Sequence, residues 1–382
     1  MEIYRFSVLG KYRRQVEFGA LLLLAAALLW WFGRGLDWAR VRVAVSQSDW
    51  RLIGLASIVV LIAYWWRALR WRSFLAPLCK ARMREVWVAT TVGFGAVFLI
   101  GRTCEVVRPV VLPMRDRRVR PAAAFVTIMV ERVYDSLAVI LFFALNLWWL
   151  RPRMGVEKEF GRIRQIGLLL VALGVVTIIA LALFRLKSKN IISWFELRLS
   201  ASRRIPLKVK RGILSLLDQL ARALSILTNA RELAVTIGWT VLLWGSVAFA
   251  NLLVFRAFHL QIAGRPFGFA ESLFVLGFSM VGSAVPTPGG AAGAFEAATG
   301  GALVLLGIEL EQAAAVAIVL KVVDFGPAAL FGLFYFLRGE ISLVRLRELM
   351  KPEAVEHAIE DEKIAPAKEL EGAKLETVAI RD

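Results

Sequence analysis

Nine ionisable side chains stand inside apolar stretches of this chain or at their breaks: Arg102, Glu105, Arg108, Glu131, Arg132, Asp135, Glu296, Lys321 and Asp324. A charge at the centre of a bilayer costs about 2.5–3.5 kcal/mol on insertion scales. Nine such charges left alone would cost on the order of 25 kcal/mol, above the ~5–15 kcal/mol net stability of a domain. They must therefore pair, meet water or meet a polar substrate. Arg132 and Asp135 are spaced i, i+3 and can pair on one helix face, as can Lys321 and Asp324. The run Pro286-Thr287-Pro288-Gly289-Gly290 breaks a second apolar stretch. Glycine there lets backbone approach a ligand, and a helix starting after it offers free N–H groups to an anion. Arg102 and Arg108 have the chemistry to hold a phosphate. The simpler reading is that the pairs only join helices and the Pro/Gly run only turns the chain. Charges that coincide with breaks favour a polar chamber, because ion pairs that merely join helices need no broken helix.

The elements that must position these groups are membrane helices. The chain has 382 residues, 58% of them apolar, with 13 Trp and 24 Phe. Soluble domains run at roughly 45–50% apolar. This excludes a soluble enzyme and a disordered protein, and the +18 net charge reads as basic loops on anionic lipid rather than as nucleic-acid binding. Cys79, Cys104, His259 and His357 stand at no metal-ligand spacing and make no disulfide framework. No metal or cofactor is expected.

A spanning helix needs about 20 mostly apolar residues. Six stretches qualify: 18–32, 52–66, 122–150, 166–184, 233–255 and 312–337. Trp pairs at 30–31, 65–66 and 148–149 suit the headgroup layer. Stretches 86–100 and 268–308 are apolar but broken, and read as re-entrant hairpins, which survive where protein or water satisfies the freed backbone. The fold class expected is thus all-α and polytopic, with six spanning helices and two re-entrant broken-helix hairpins. Segment 185–231 holds eleven Lys and Arg and should face the cytoplasm, with both termini on that side. Loops 67–85 and 101–121, with six each, agree, whereas loop 33–51, with four, would lie outside. Ile213, Leu216, Leu217, Leu220, Leu224 and Leu227 make one face of an amphipathic helix, either on the membrane surface or packed on other loops. Residues 351–382 carry five basic and nine acidic groups and no aromatics, and read as a disordered cytoplasmic tail on a 1–350 membrane domain.

The two broken stretches sit in matching surroundings. Gly93-Phe94, a break, Glu105 and Arg132-Val133-Tyr134-Asp135 correspond to Gly277-Phe278, a break, Glu296 and Lys321-Val322-Val323-Asp324. Each unit, about 52–150 and about 233–337, is a span, a hairpin and a span bearing basic-x-x-Asp, and the two should run in opposite directions. Inverted repeats with paired broken helices are a transporter pattern, with the site at the repeat interface.

Gly101-Arg102-x-x-Glu105-x-x-Arg108, Glu131-Arg132-x-x-Asp135, and Pro286-Thr-Pro-Gly-Gly290 with Gly293 and Glu296 resemble the transmembrane, flippase-like domain family of lysylphosphatidylglycerol synthases over about 15–340. The Pro/Gly segment is the most specific part. That family also has stand-alone, hopanoid-associated and glycosyltransferase-fused members. The resemblance implies a lipid translocase fold without the aminoacyltransferase domain. It carries Arg102, Glu105, Arg108, Arg132, Asp135, Glu296 and Lys321 over as headgroup-lining positions. Glu131, Pro286, Pro288, Gly289, Gly290 and Asp324 complete the candidate substrate site. Cys104 stands where glycine is expected, and Lys321 where arginine is commoner. The function expected is movement of a polar-headgroup lipid between leaflets of a bacterial cytoplasmic membrane. Its lipid would be a phospholipid, an aminoacylated phospholipid or a polyprenyl- or hopanoid-type lipid. A transporter is favoured over an enzyme. The alternatives are a membrane glycosyl- or headgroup transferase and a scaffold for a lipid-synthesis complex. Homo-oligomers and a lipid-synthesis partner enzyme remain open as partners.

Overall fold

The computed structural model describes residues 33–100, 107–149, 157–201, 207–224, 229–262, 264–285, 287 and 291–338, with isolated positions 23, 27 and 30. Most of the span expected at 18–32, the acidic tail, Gly101, Arg102, Cys104, Glu105, Pro286, Pro288, Gly289 and Gly290 lie outside the described residues.

Twelve described helices follow one another: α1 (Trp38–Ser46), α2 (Trp50–Leu75), α3 (Met83–Ile100), α4 (Val107–Arg115), α5 (Pro121–Trp149), α6 (Glu157–Leu186), α7 (Ser188–Ala201), α8 (Leu207–Ala223), α9 (Ala230–Ala257), α10 (Phe269–Ala284), α11 (Ala294–Leu305) and α12 (Leu310–Leu337). A two-stranded hairpin, β1 (Gln261–Ile262) with β2 (Arg265–Pro266), joins α9 to α10. Trp50–Leu75, Gly161–Leu186, Ala230–Ala257 and Leu310–Tyr335 are long and apolar enough to cross a membrane. The helix starts are written locally: the carboxylate of Asp49 accepts the Arg51 N–H at 2.9 Å, and Asn229 caps α9 through the Arg231 N–H at 3.2 Å.

One expectation changes at once. The Trp65–Trp66 pair does not end a span. Trp65 packs against Trp87 of α3, Trp66 stacks on Trp239 of α9, and α2 runs on to Leu75. Arg67, Arg70 and Arg72 are therefore helical rather than loop residues, and Arg67 and Arg70 are buried. With Arg108 buried on α4, three residues counted as basic loop charge belong to the interior.

A sequence of long, short, short and long helices occurs twice. α2, α3, α4 and α5 have 26, 18, 9 and 29 residues; α9, α10, α11 and α12 have 28, 16, 12 and 28. The two sets exchange partners: α2 packs on α9, α3 on α12, and α10 on α5. Glycine makes the α3–α12 crossing tight. A Cβ on Gly95 would lie 3.0 Å from the Ala328 carbonyl oxygen, and one on Gly332 would lie 3.5 Å from Val92 Cα. Small residues let membrane helices approach this closely. Outside the two sets, α6 packs on α5, and α8 lays Leu220 and Ala223 against Phe74, Val126 and Val130. The amphipathic helix of the 185–231 segment is thus packed on the bundle at its C-terminal end.

Candidate functional site

The centre of the molecule is an ion cluster built on α2, α4 and α5. Arg108 clamps Glu131 with two hydrogen bonds of 3.0 Å, Nη1 to Oε1 and Nη2 to Oε2. Such fork-to-fork pairing adds geometric specificity to charge. The stem of Arg108 reaches Glu131 by crossing α3 at Gly93, where a Cβ would lie 2.1 Å from Arg108 Cγ. Arg70 is fully buried and ties the cluster together. Its Nη2 donates to Asp135 Oδ1 at 2.6 Å and stands 3.5 Å from Glu131 Oε1, and its Nη1 donates to Thr240 Oγ1 at 3.3 Å. Arg132 Nη2 reaches Glu131 at 3.1 Å and Asp135 at 3.3 Å, so the i, i+3 pair expected on α5 forms. Trp244 Nε1 donates to Asp135 Oδ1 at 3.2 Å.

Arg67 is held more loosely. Its Nη1 stands 3.9 Å from Asp135 Oδ2, beyond hydrogen-bond reach. Its guanidinium lies 4.5 Å from the centre of the Phe94 ring, with Tyr64 and Trp244 within 6 Å. Arg108 shares Phe94 from 5.2 Å and covers Trp71 at 4.4 Å. Aromatic faces hold cations by their quadrupole, at about 0.5–2 kcal/mol each. Among the described residues, four guanidiniums gather on the carboxylates of Glu131 and Asp135.

The second set of helices carries a smaller pair of reversed polarity. In the first set a short helix supplies the base, Arg108, and a long helix the acid, Glu131. In the second, short α11 supplies Glu296 and long α12 supplies Lys321, at 2.7 Å. Glu296 also accepts the Gly293 N–H at 2.8 Å, reaching back over the first turn of α11. Gly293 has a φ of 80° and Ala291 one of 61°. The first suits glycine, whereas the second holds a side chain in left-handed backbone, a strain that clusters at functional sites. Lys321 thus chooses Glu296, and the expected Lys321–Asp324 pair does not form.

Between the two sets lies a cavity of about 100 Å³. Arg67, Arg132 and Asp135 of the ion cluster line it from one side, and Asp324, Ala291 and Ser279 from the other. The structure therefore brings Arg108, Glu131, Arg132 and Asp135 into one cluster and Glu296 and Lys321 into a second, with Asp324 on the cavity wall. Arg67, Arg70, Tyr64 and Trp244 were not among the sequence candidates. The available signal was the buried face of α2, where Val60, Tyr64, Ala68, Trp71 and Phe74 continue at helical spacing past Trp66.

No group of three or more metal-ligating side chains occurs among the described residues. The arrangement can bind an anion in a partly dehydrated place. No curated protein matches the chain. The family model described as the lysylphosphatidylglycerol synthase TM region matches residues 18–332, on which grounds this multi-pass membrane protein, with a function tied to membrane lipids, belongs to that family.

Proposed function

We propose that the protein is a lipid translocase. It moves a lipid with a polar headgroup between leaflets of a bacterial cytoplasmic membrane, with N- and C-termini in the cytoplasm. The observation that carries the reading is a buried cluster in which, among the described residues, four guanidiniums gather on Glu131 and Asp135 beside a cavity between the two four-helix sets. Ionisable side chains buried in a membrane segment are functional candidates, and guanidiniums in a partly dehydrated place suit an anionic group. The headgroup enters sideways and replaces water around Arg67 and Arg132 while its tails stay in lipid.

Six spans, two re-entrant hairpins and an inverted repeat belong to this reading. The recurring helix lengths, the exchange of packing partners and the reversed Arg108–Glu131 and Glu296–Lys321 pairs support the repeat. Small-molecule sites usually enclose about 300–1,000 Å³, so on this reading a cavity of about 100 Å³ must widen to take a headgroup. The sets rock apart to admit the headgroup. Arg102, Glu105, Pro286, Pro288, Gly289 and Gly290 stay in this reading as headgroup candidates on sequence grounds alone.

The test uses vesicles reconstituted with the purified protein and fluorescent phospholipids, with leaflet exchange read by quenching from outside. Arg132→Ala and Glu296→Ala each lower exchange by at least about tenfold, the worth of roughly 1.4 kcal/mol, with unfolding temperatures close to wild type. Wild-type rates in both variants remove the site from the reading. A wild type that exchanges no lipid removes the translocase.

A further inference from the structure

The acids of the two clusters are neutralised: Glu131 and Asp135 by guanidiniums and Glu296 by Lys321. Asp324 is different. It makes no ion pair among the described residues, its Oδ1 is buried without a hydrogen-bond partner, and it faces the cavity. The helix around it is also weakened. Pro327 interrupts α12 and removes the N–H that the Val323 carbonyl would otherwise accept. The Tyr64 hydroxyl donates at 2.8 Å to the next carbonyl, that of Asp324 itself. So an acid with no ion pair within 4 Å among the described residues sits where α12 can bend. One turn earlier the same helix holds Glu296 through Lys321, and about two turns later it crosses α3 at Gly332.

The groups that face Asp324 can be named element by element. α2 presents Tyr64 and Arg67, α5 presents Arg132 and Asp135 across the cavity, and α10 presents Ser279 and Ser283. α11 presents Glu296, already held by Lys321 of α12. α9 adds only the neutral Trp244, and α3 adds Phe94. α1 packs on α12 as well, and its Arg40 lies in a separate pocket with Glu309, Glu311 and His259. None of these gives Asp324 an ion pair within 4 Å among the described residues. A carboxylate left so would lose its hydration without replacement, while a carboxyl group crosses apolar surroundings at far lower cost.

On the translocase reading above, we propose that Asp324 is the proton-coupling site of the transporter. It takes a proton from water when the cavity opens to one side of the membrane. It gives that proton to water on the other side after the two helix sets have rocked. The step moves one proton and breaks no other bond: Asp324 carboxylate plus proton becomes carboxyl, then reverts. Pro327 supplies the bend that changes which side the carboxyl meets.

Two experiments on the full chain test this. The first needs no lipid substrate. Infrared difference spectra of the protein in lipid nanodiscs, recorded between acid and alkaline pH, show a carboxyl C=O band in wild type that Asp324→Asn lacks. Identical spectra overturn the proposal. The second places the protein in vesicles with fluorescent lipids bearing anionic, zwitterionic or aminoacylated headgroups, under imposed pH or sodium gradients. With one proton per lipid, each pH unit shifts the leaflet ratio of the transported lipid about tenfold. Asp324→Asn no longer shifts the leaflet ratio with the gradient, whereas Asp324→Glu, which keeps a titratable carboxyl, does. A wild type that exchanges lipid with the same leaflet ratio at every pH gradient overturns the coupling and leaves the translocase standing. A response to sodium instead of pH, or a pH response kept by Asp324→Asn, also overturns it. No exchange of any lipid overturns both readings together.

Discussion

Arg70 is the residue on which the ion cluster turns, because it touches both carboxylates and Thr240 while fully buried. Removing one partner from a buried ion network costs about 3–5 kcal/mol. Arg70→Met should therefore lower stability by that order, read as the unfolding midpoint in nanodiscs. Arg222→Ala, which breaks the exposed pair with Asp218, should cost less than about 1 kcal/mol. Equal losses would show that Arg70 is no more than a surface charge. Cys79, in the turn after α2, has its thiol pushed up to about 11 by burial and, second, by the nearby Asp116 carboxylate. Only the thiolate is alkylated, so iodoacetamide labelling at neutral pH should run roughly a hundredfold slower than for an ordinary thiol. It should rise steeply as pH approaches the shifted value. Labelling at the ordinary rate would place Cys79 in open water. Legibility differed between residues for a physical reason. Glu131, Arg132 and Asp135 interrupt an apolar run, so their cost is visible in the sequence. Arg67 and Arg70 follow a Trp pair and precede further basic residues, so they read as a loop. Their burial comes from packing against α5 and α9, which composition does not record.

At the scale of elements, the long helices were legible because length and apolar content suffice to mark them. Stretches 52–66, 166–184, 233–255 and 312–337, and 122–150 as far as Trp149, lie within observed helices. The ends were harder. Trp65 and Trp66 face α3 and α9 instead of a headgroup layer, and an indole in a helix–helix seam looks the same in sequence as one at an interface. The short helices were visible as breaks, and their pairing with long neighbours came from structure. α4 depends on α3 at one point: Gly93 leaves the path by which Arg108 reaches Glu131. Gly93→Ala should push Arg108 off its carboxylate. The expected outcome is a loss of lipid exchange at least as large as that of Arg132→Ala, with lower unfolding temperature. Gly238→Ala, on α9 with nothing within 4 Å of its Cβ position, is the control and should be neutral or slightly stabilising. An unaffected Gly93→Ala protein would mean that the cluster tolerates a displaced α4.

At the scale of the whole molecule, eight of the twelve described helices form two four-helix sets that hold one another through exchanged neighbours, with α3 of the first against α12 of the second. If rocking of these sets carries the lipid, tying them should stop it. Val92 and Gly332 are the place to tie them, since a Cβ at 332 would lie 3.5 Å from Val92 Cα. The Val92→Cys, Gly332→Cys protein should exchange lipid when reduced and stall when oxidised. Full activity of the oxidised form would locate the motion elsewhere. The order of the two sets could be read from recurring breaks and charges, but their mutual packing, and hence the cavity, could not, because both depend on partners far apart in the chain. The wall of that cavity carries both signs, Arg67 and Arg132 with Asp135 and Asp324. If lipid passes there, a zwitterionic guest can find an opposite charge for each of its own, while a guest of one sign meets its like on part of the wall.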